Sequence, residues 1–354
     1  MGIRIQSVRR QAAQFGLAMA ASTFLVTFLA LVKAAPTSAQ SDMSQLAVTW
    51  KQLDVPGPSH PAGNLVYDAA RNVVIMFGGW SWQGSKNPPS NDTWVWDGTS
   101  WQLQHTSMSP PPQEGSGSMA YDASRQQVVF YGGLGRDETW TWDGNTWTQQ
   151  HPASSPGGAR DYAAMAYDDI SGTVILFGGG YGLKGDTWSW DGTNWNQLTP
   201  TTSPQPRLHA QLAAAGPHQG LVLYGGCCRV SEKQVMDDHW FDTWTWDGGT
   251  WHEETSLPAP RVNPGLGYVP AANGTLLYGG DSQRTVPPGR LEQQPATGDA
   301  WLWTAEGWKQ QATYAPLSEP LSMKNSVVTG TNSLLVLVVD QGRLTTVVGT
   351  ISPT

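Results

Sequence analysis

The sequence is poor in charge and holds only two cysteines. Charged residues make up 14% of its 354 positions, against 40 glycines and 25 prolines. Few charges combined with many turn-forming residues indicate short strands joined by turns rather than long helices. The chain is nevertheless 39% hydrophobic, so it can bury a large core and is not a disordered chain.

Positive charge is the scarcer sign. Lysine and arginine total 20, against 28 aspartates and glutamates, for a net charge of −8. Residues 1–39 hold four basic residues and no acids, so their removal would lower the net charge to −12. An acidic body of this kind argues against nucleic acids and anionic membrane surfaces as partners.

The motifs of common catalytic and cofactor sites are missing. We find no Ser-His-Asp order, no zinc spacing, no Walker loop and no dinucleotide fingerprint. The seven histidines are scattered, without a pair at metal-ligand spacing. We therefore expect no metal and no cofactor, and a binding protein is favoured over an enzyme.

A long apolar run occurs only near the N-terminus. Three arginines precede the run 15–32, and small residues follow it up to Ala39. This layout is typical of a secretory signal peptide, so we predict a leader over residues 1–39 and a secreted or periplasmic domain over 40–354. The alternative is an uncleaved membrane anchor, since the run is nearly long enough to span a bilayer.

Tryptophan is abundant, with 19 residues, and most of them recur in one phrase. The phrase is read five times, as TWVWDGTSW, TWTWDGNTW, TWSWDGTNW, TWTWDGGTW and AWLWTAEGW. Its first tryptophans are Trp94, Trp140, Trp188, Trp244 and Trp301. Upstream of each phrase, an apolar run ends in paired glycines, as in VVIMFGG and VVFYGG. A period near 50 residues with four short strands per unit is typical of a β-propeller.

These repeats resemble the kelch family. The glycine pair after the second strand and the tryptophans further on match the kelch signature, in five units covering residues 60 to 311. The mature chain opens with AVTWKQLDVPGPS, which resembles the fourth strands of the repeats, and ends with three strands that lack a fourth. Joining the two ends avoids an exposed sheet edge. We predict an all-β, six-bladed propeller of four-stranded blades, the last closed by the N-terminal strand with Trp50.

The repeated tryptophans and acids are interpreted as structural. Trp96 and Trp101 are expected to face each other across a tight hairpin, because four residues with Asp-Gly separate them. The turn aspartates, from Asp97 onward, are expected to shape that turn. A second acid precedes the third strand of each unit, starting with Asp92, and we expect it to accept backbone N–H bonds at the glycine turn.

The two faces of the predicted propeller differ. The turns between strands three and four hold four residues in all five units, whereas the connections between strands two and three hold 12, 4, 6, 15 and 18 residues. Variable loops carry function more often than uniform turns. We therefore predict the ligand on the face of the long connections, where Trp80, Trp82, Tyr181 and Trp240 lie. Packing of these aromatic side chains within their own loops is the alternative.

Three arginines recur on the same face. Arg160, Arg207 and Arg261 each stand 18 residues before the first glycine of their unit's pair, and the same count in units one and two reaches His60 and Glu114. Three guanidiniums at a channel mouth would suit a carboxylate or polyhydroxy ligand. Hydrogen bonding to loop carbonyls is the alternative.

The two cysteines, Cys227 and Cys228, are adjacent. In a secreted protein both are expected to be oxidised, and a vicinal disulfide would stiffen the long connection that they open. A free pair and an intermolecular bridge remain as alternatives.

The leading hypothesis is a secreted, monomeric binding module that holds a carbohydrate or an extracellular protein. The resemblance also implies a second hypothesis, a sugar-active enzyme similar to the sialic acid mutarotases, with Glu114 near the three arginines. A galactose oxidase-like enzyme is a less favoured version of this second hypothesis. The paired tyrosines, the histidines and the cysteine-linked tyrosine of the galactose oxidase copper site cannot be placed in this sequence.

Overall fold

The computed structural model describes the chain from residue 46 onward, with internal gaps. The described ranges are 46–60, 63–80, 88–158, 160–180, 182–231, 234–262, 264–286, 290–296, 299–311, 325–330, 333–340 and 343–353. The chain divides into two units between Gln40 and Ser41, and the first unit, which holds the predicted leader, lies outside these ranges. No helix within them is long and apolar enough to cross a membrane.

The strands form six four-stranded antiparallel sheets, which confirms the predicted six-bladed propeller. One strand, β1 (Leu46–Leu53), precedes the repeats. Blade 1 contains β2 (Asn64–Asp68), β3 (Val73–Phe77), β4 (Thr93–Trp96) and β5 (Trp101–Gln104). Blade 2 contains β6 (Ser118–Asp122), β7 (Gln127–Tyr131), β8 (Thr139–Trp142) and β9 (Trp147–Gln150). Blade 3 contains β10 (Ala164–Asp168), β11 (Thr173–Phe177), β12 (Thr187–Trp190) and β13 (Trp195–Leu198).

Blades 4 and 5 are larger because their second and third strands are joined by further β-structure. Blade 4 contains β14 (Gln211–Ala214), β15 (Leu221–Ser231), β16 (Gln234–Trp246) and β17 (Trp251–Glu254). Blade 5 contains β19 (Gly265–Val269), β20 (Gly274–Tyr278), β23 (Ala300–Thr304) and β24 (Gly307–Gln310), with a 3-10 helix at Pro270–Ala272. A separate three-stranded sheet joins β18 (Arg261–Val262), β21 (Asp281–Val286) and β22 (Arg290–Ala296).

The sixth blade is built from both ends of the chain. Its strands are β25 (Asn325–Thr329), β26 (Ser333–Asp340) and β27 (Arg343–Pro353), and β1 pairs antiparallel with β27 along its whole length. Trp50 stands opposite Gly349 in this outermost pairing, as predicted. The first strands of all six blades contact their neighbours in a closed ring, from β2 through to β25 and back to β2.

Paired tryptophans fill the space between neighbouring blades. In blades 1 to 5 the tryptophan near the end of strand three faces the tryptophan near the start of strand four, with ring centroids 5.2–5.5 Å apart. Trp142, Trp190 and Trp195 are fully buried. Aromatic pairs in this tilted geometry stabilise a fold by roughly 0.5–1.5 kcal/mol beyond their area. The predicted structural role of the repeat tryptophans is confirmed.

Each outer tryptophan also forms a hydrogen bond to the preceding blade. Its indole N–H donates to a threonine hydroxyl at the third strand of that blade, at 2.8–3.1 Å. The pairs are Trp101–Thr346, Trp147–Thr93, Trp195–Thr139, Trp251–Thr187 and Trp308–Thr243. Because Trp101 of blade 1 reaches Thr346 of blade 6, the series continues across the seam where the ring closes.

Candidate functional site

One face of the propeller, here called the turn face, carries the four-residue turns between strands three and four. The Asp97 carboxylate accepts the backbone N–H groups of Thr99 and Ser100 at 2.8 Å, and Asp143, Asp191 and Asp247 repeat this turn. The Thr99 hydroxyl and these N–H groups lower the pKa of Asp97 to about 2. These aspartates are turn residues, as predicted.

The turn face is also fastened between blades. The Arg71 guanidinium donates to the buried Asp68 carboxylate at 2.7 Å, and to the carbonyls of Gln126 and Asp143 in the next blade. Arg125 binds Asp122 at 2.9 Å in the same way one blade further on. A face of short turns held by ion pairs to buried aspartates has little freedom to adapt to a ligand.

The opposite face, here called the hairpin face, carries the connections between strands two and three and the starts of the inner strands. The 15-residue connection of blade 4 is not a loop, because β15 and β16 continue to pair from Gly226↔Trp240 to Ser231↔Gln234. The 18-residue connection of blade 5 forms β21 and β22, which pair with each other, and β21 also pairs with β18. The expected loops are therefore β-hairpins, rising from two adjacent blades.

Arg160, Arg207 and Arg261 are buried in ion pairs within their own blades. All three are at most 2% exposed. Arg160 donates to both oxygens of Asp186 at 2.6 Å, to the Gly178 carbonyl at 3.1 Å and to the Pro156 carbonyl at 2.8 Å. Arg207 pairs likewise with Asp242 and Arg261 with Asp299.

This geometry favours the structural interpretation of the three arginines. Their guanidinium groups donate to carboxylates and carbonyls of the chain. Hydrogen bonding to carbonyls is the alternative that the sequence left open for these arginines. Burial raises the pKa of Asp186, but the hydrogen bonds from Arg160 and Trp188 outweigh it and hold that pKa below its usual value. The three arginines therefore lie outside the proposed site.

The acids before the third strands have other partners than expected. In four of the five units the carboxylate accepts the indole N–H of the tryptophan two residues later. The pairs are Trp140–Glu138, Trp188–Asp186, Trp244–Asp242 and Trp301–Asp299, at 2.7–3.0 Å. The glycine turn is instead closed by backbone carbonyls, as in the bond from Gly132 N–H to Glu138.

In blade 2 the arginine position is filled by Gln113, one residue before the predicted Glu114. The Gly79 N–H of blade 1 donates to the Gln113 carbonyl at 2.7 Å, just as the Gly179 N–H of blade 3 donates to the Arg207 carbonyl at 2.9 Å. Gln113 is fully buried, as the arginines are, whereas Glu114 is exposed. The prediction that Glu114 is the equivalent of the arginines is therefore wrong by one position.

The remaining predicted residues fall in different surroundings. His60 is half-buried, with Nδ1 2.9 Å from the Ser59 hydroxyl. Trp80 is half-buried at the start of the blade 1 connection. Trp82 and Tyr181 lie outside the described residues. Trp240 is half-buried on β16, with its ring 5.0 Å from the Arg207 guanidinium carbon, so it packs over a blade as well as facing solvent.

Cys227 is buried and disulfide-bonded. Its backbone also exchanges two hydrogen bonds with Leu208, which fastens the base of the blade 4 hairpin to the segment that enters this blade. The side chain of Cys228 lies outside the described residues, so the vicinal bridge stays a prediction.

An aromatic pair that the sequence reasoning missed lies where the inner strands begin. The rings of Tyr162 and His209 stack with centroids 4.0 Å apart and planes at 28°. Backbone bonds link them round the ring, since Tyr162 N–H donates to Ser116 and His209 N–H donates to Tyr162. Both have positive φ, at 59° and 57°. Non-glycine residues in this conformation are uncommon and cluster at functional sites.

The sequence carried one signal for this pair. Tyr162 and His209 each follow a repeat arginine by two residues, Arg160 and Arg207, in successive blades. No stacking follows from that spacing alone, because the two residues are 47 positions apart and meet only through the arrangement of neighbouring blades.

Comparison with known proteins supports the fold. No family model matches the chain, and no curated protein matches it. Among solved structures it is similar to one described as "Structure of YjhT", with a TM-score of 0.57 and 13% sequence identity, over 84% of this chain and 98% of that one. At this identity the similarity shows the propeller fold alone.

Proposed function

We propose that the protein is an exported binding module of the kelch type that holds a carbohydrate or an extracellular protein on its hairpin face. The observation that carries the proposal is the difference between the two faces. The turn face repeats one short turn from blade to blade, whereas long hairpins rise from blades 4 and 5 on the other. A rigid scaffold that varies only on one face is typical of a binding protein.

Aromatic side chains on this face suit a sugar ligand. The half-buried Tyr162–His209 stack stands where the inner strands begin, and Trp240 stands on the adjacent hairpin of blade 4. Flat rings that keep part of their surface in water can pack against the C–H faces of a sugar. His60 and the exposed Glu114 add polar groups to blades 1 and 2 on the same face.

A sugar-active enzyme, similar to the sialic acid mutarotases, is the second candidate. His209 is the observation in its favour, because a half-buried imidazole held at positive φ could transfer a proton at a sugar ring. The galactose oxidase-like alternative has no comparable observation. Within the described ranges, no three His, Cys, Asp or Glu side chains converge as a metal site would need.

A glycan array probed with residues 40–354 tests the proposal. We expect saturable binding to a defined group of oligosaccharides, and His209→Ala should weaken it without changing the melting temperature by more than a few degrees. Conversion between sugar anomers, followed by proton NMR with each bound glycan, distinguishes the enzyme from the binding module. Binding that survives His209→Ala, Tyr162→Ala and Trp240→Ala alike would place the ligand elsewhere.

A further inference from the structure

Blade 2 departs from the ion-pair pattern of the three blades that follow it. Blades 3, 4 and 5 each place a guanidinium between an acid and a glycine carbonyl. Blade 2 keeps the acid, Glu138, and the glycine, Gly132, but has Gln113 in the arginine position. Glutamine is shorter than arginine and carries no charge, so it cannot supply the missing cation.

The buried amide of Gln113 is not satisfied by the chain. The residue is 0% exposed, and neither its amide nitrogen nor its amide oxygen has a hydrogen-bond partner in the described part of the molecule. A buried polar group without a partner destabilises a fold, so such groups are rare in stable proteins and a bound group can satisfy them.

Among the described residues, the carboxylate of Glu138 has a hydrogen bond to only one of its two oxygens. Glu138 Oε2 accepts the Trp140 indole N–H at 3.0 Å, as the acids of the arginine-bearing blades do. Glu138 Oε1 is 3.8 Å from Arg136 Nη1, which is too long for a hydrogen bond. The Glu138 side chain is 29% exposed, so part of it is in contact with solvent.

The blade 2 connection is short and exposed beyond Gly133, which packs against the Gln113 amide oxygen. The connection between β7 and β8 is the shortest of the five, and its residues Leu134, Gly135, Arg136 and Asp137 are all exposed. The long hairpins belong to blades 4 and 5, two and three positions further round the ring. An incoming group can therefore approach Glu138 from the hairpin face.

We propose that blade 2 binds the guanidinium group of a ligand between the Gln113 amide and the Glu138 carboxylate. A guanidinium is the group that the same fold accepts at the equivalent place in blades 3, 4 and 5. Its planar N–H donors match a carboxylate and neutral oxygens in a fixed geometry. The Glu138 Oε1 and Gln113 Oε1 atoms supply such acceptors. This inference deepens the proposed function, on which it rests, for the case of a protein ligand, whose arginine side chains carry a guanidinium group.

Trp140 provides a direct reporter, because its indole N–H is bonded to Glu138. We would titrate the protein with methylguanidinium chloride at millimolar concentrations and follow the indole signals by ¹H–¹⁵N NMR, with tetramethylammonium chloride as the ionic-strength control. The Trp140 signal should shift saturably. The Trp188 signal should stay in place, because its acid partner Asp186 is already paired with Arg160. No shift at Trp140, or equal shifts at both, overturns the proposal.

Two substitutions separate the site from a general effect of the cation. Gln113→Arg gives blade 2 the side chain that three other blades carry, so it should fold and abolish the Trp140 shift. Arg136→Ala removes the nearest competing cation and should tighten methylguanidinium binding. Retained binding in Gln113→Arg, or weaker binding in Arg136→Ala, contradicts the proposal.

The matched variant in blade 3 is Arg160→Gln, which copies blade 2. It should be destabilised, and millimolar methylguanidinium should raise its melting temperature more than that of the wild type. The absence of this rescue in a folded variant argues that the site does not take guanidinium. Because the probe is a small cation, these experiments can fail while glycan binding succeeds, and the reverse.

Discussion

At the residue scale, residue type was sufficient to predict the structural roles of the repeat tryptophans and the turn aspartates. It was not sufficient to predict the partners of the buried arginines. The Asp-Gly turn could be predicted because its hydrogen bonds close within three residues, as those of Asp97 do. The pair between Arg160 and Asp186 spans 26 residues, and its existence depends on how the blade folds. Counting back from the glycines did not find Gln113, because the count assumes that this segment has the same length in every blade. In blade 2 the segment is one residue longer.

The turn aspartates predict an acid-labile fold. The pKa values of Asp97 and Asp191 are both lowered to about 2. For Asp191 burial acts in the opposite direction, but the turn hydrogen bonds outweigh it. An unfolded aspartate titrates near ~3.9. A depressed pKa contributes stability above the unfolded value, and this contribution is lost as the pH falls through the folded one.

We therefore expect the free energy of unfolding to fall between about pH 4 and about pH 2. The double variant Asp97→Asn, Asp191→Asn keeps an acceptor oxygen in each turn but removes the titration, so its stability should depend less on pH in this window. Urea unfolding across the window measures both slopes. Equal slopes in the two proteins would show that these turns do not couple folding to protonation.

At the element scale, the strands followed from sequence periodicity, but the long connections did not. The repeated phrases gave the four strands of blades 1 to 5, and the fading signature at the C-terminus still left three strands for blade 6. The sequence predicted a long loop for the connection of blade 4, from its position between strands two and three. Its two halves pair through a register that shifts between Tyr224 and Gly226 and again between Cys227 and Arg229. Such bulges hide a strand from pattern analysis.

The threonine at the third strand is expected to fasten each blade to the next. Trp195 donates its indole N–H to Thr139 at 2.9 Å, and both residues are at least 99% buried. Thr139→Val keeps the shape of the side chain but leaves this donor unsatisfied, which should cost about 1–3 kcal/mol. The exposed Thr148→Val on the outer strand of the same blade is the control and should be nearly neutral. Chemical denaturation measures both, and equal losses would refute a specific role for the bond.

At the scale of the whole molecule, closure of the ring links the two ends of the chain. β1 pairs with β27 over eight residues, and Trp101 reaches from blade 1 back to Thr346 in blade 6. The sequence was sufficient to predict this closure, because the opening segment resembles a fourth strand and the last three strands lack one. It was not sufficient to predict the ligand, because the residues that differ between blades meet only after folding.

Deletion of residues 40–54 tests the closure. Removing β1 leaves β27 with an unpaired edge, which should lower the melting temperature or cause aggregation. Circular dichroism melting and light scattering of the truncated and complete domains give the comparison. A truncated protein that stays monomeric and melts cooperatively at the same temperature would contradict the role of β1.

The hairpin face is proposed to bind the ligand, whereas the repeat tryptophans stabilise the fold. The measurement that tests it most directly compares Trp240→Ala and Trp142→Ala in the same two assays, glycan affinity and denaturant unfolding. Trp240→Ala should weaken binding by about 2 kcal/mol or more, on the order of thirtyfold, and retain most of the stability. Because Trp142 is fully buried, Trp142→Ala should lower the free energy of unfolding by about 3–5 kcal/mol. If both variants lost stability alone, with unchanged affinity in the folded protein, the hairpin face would not be the ligand site.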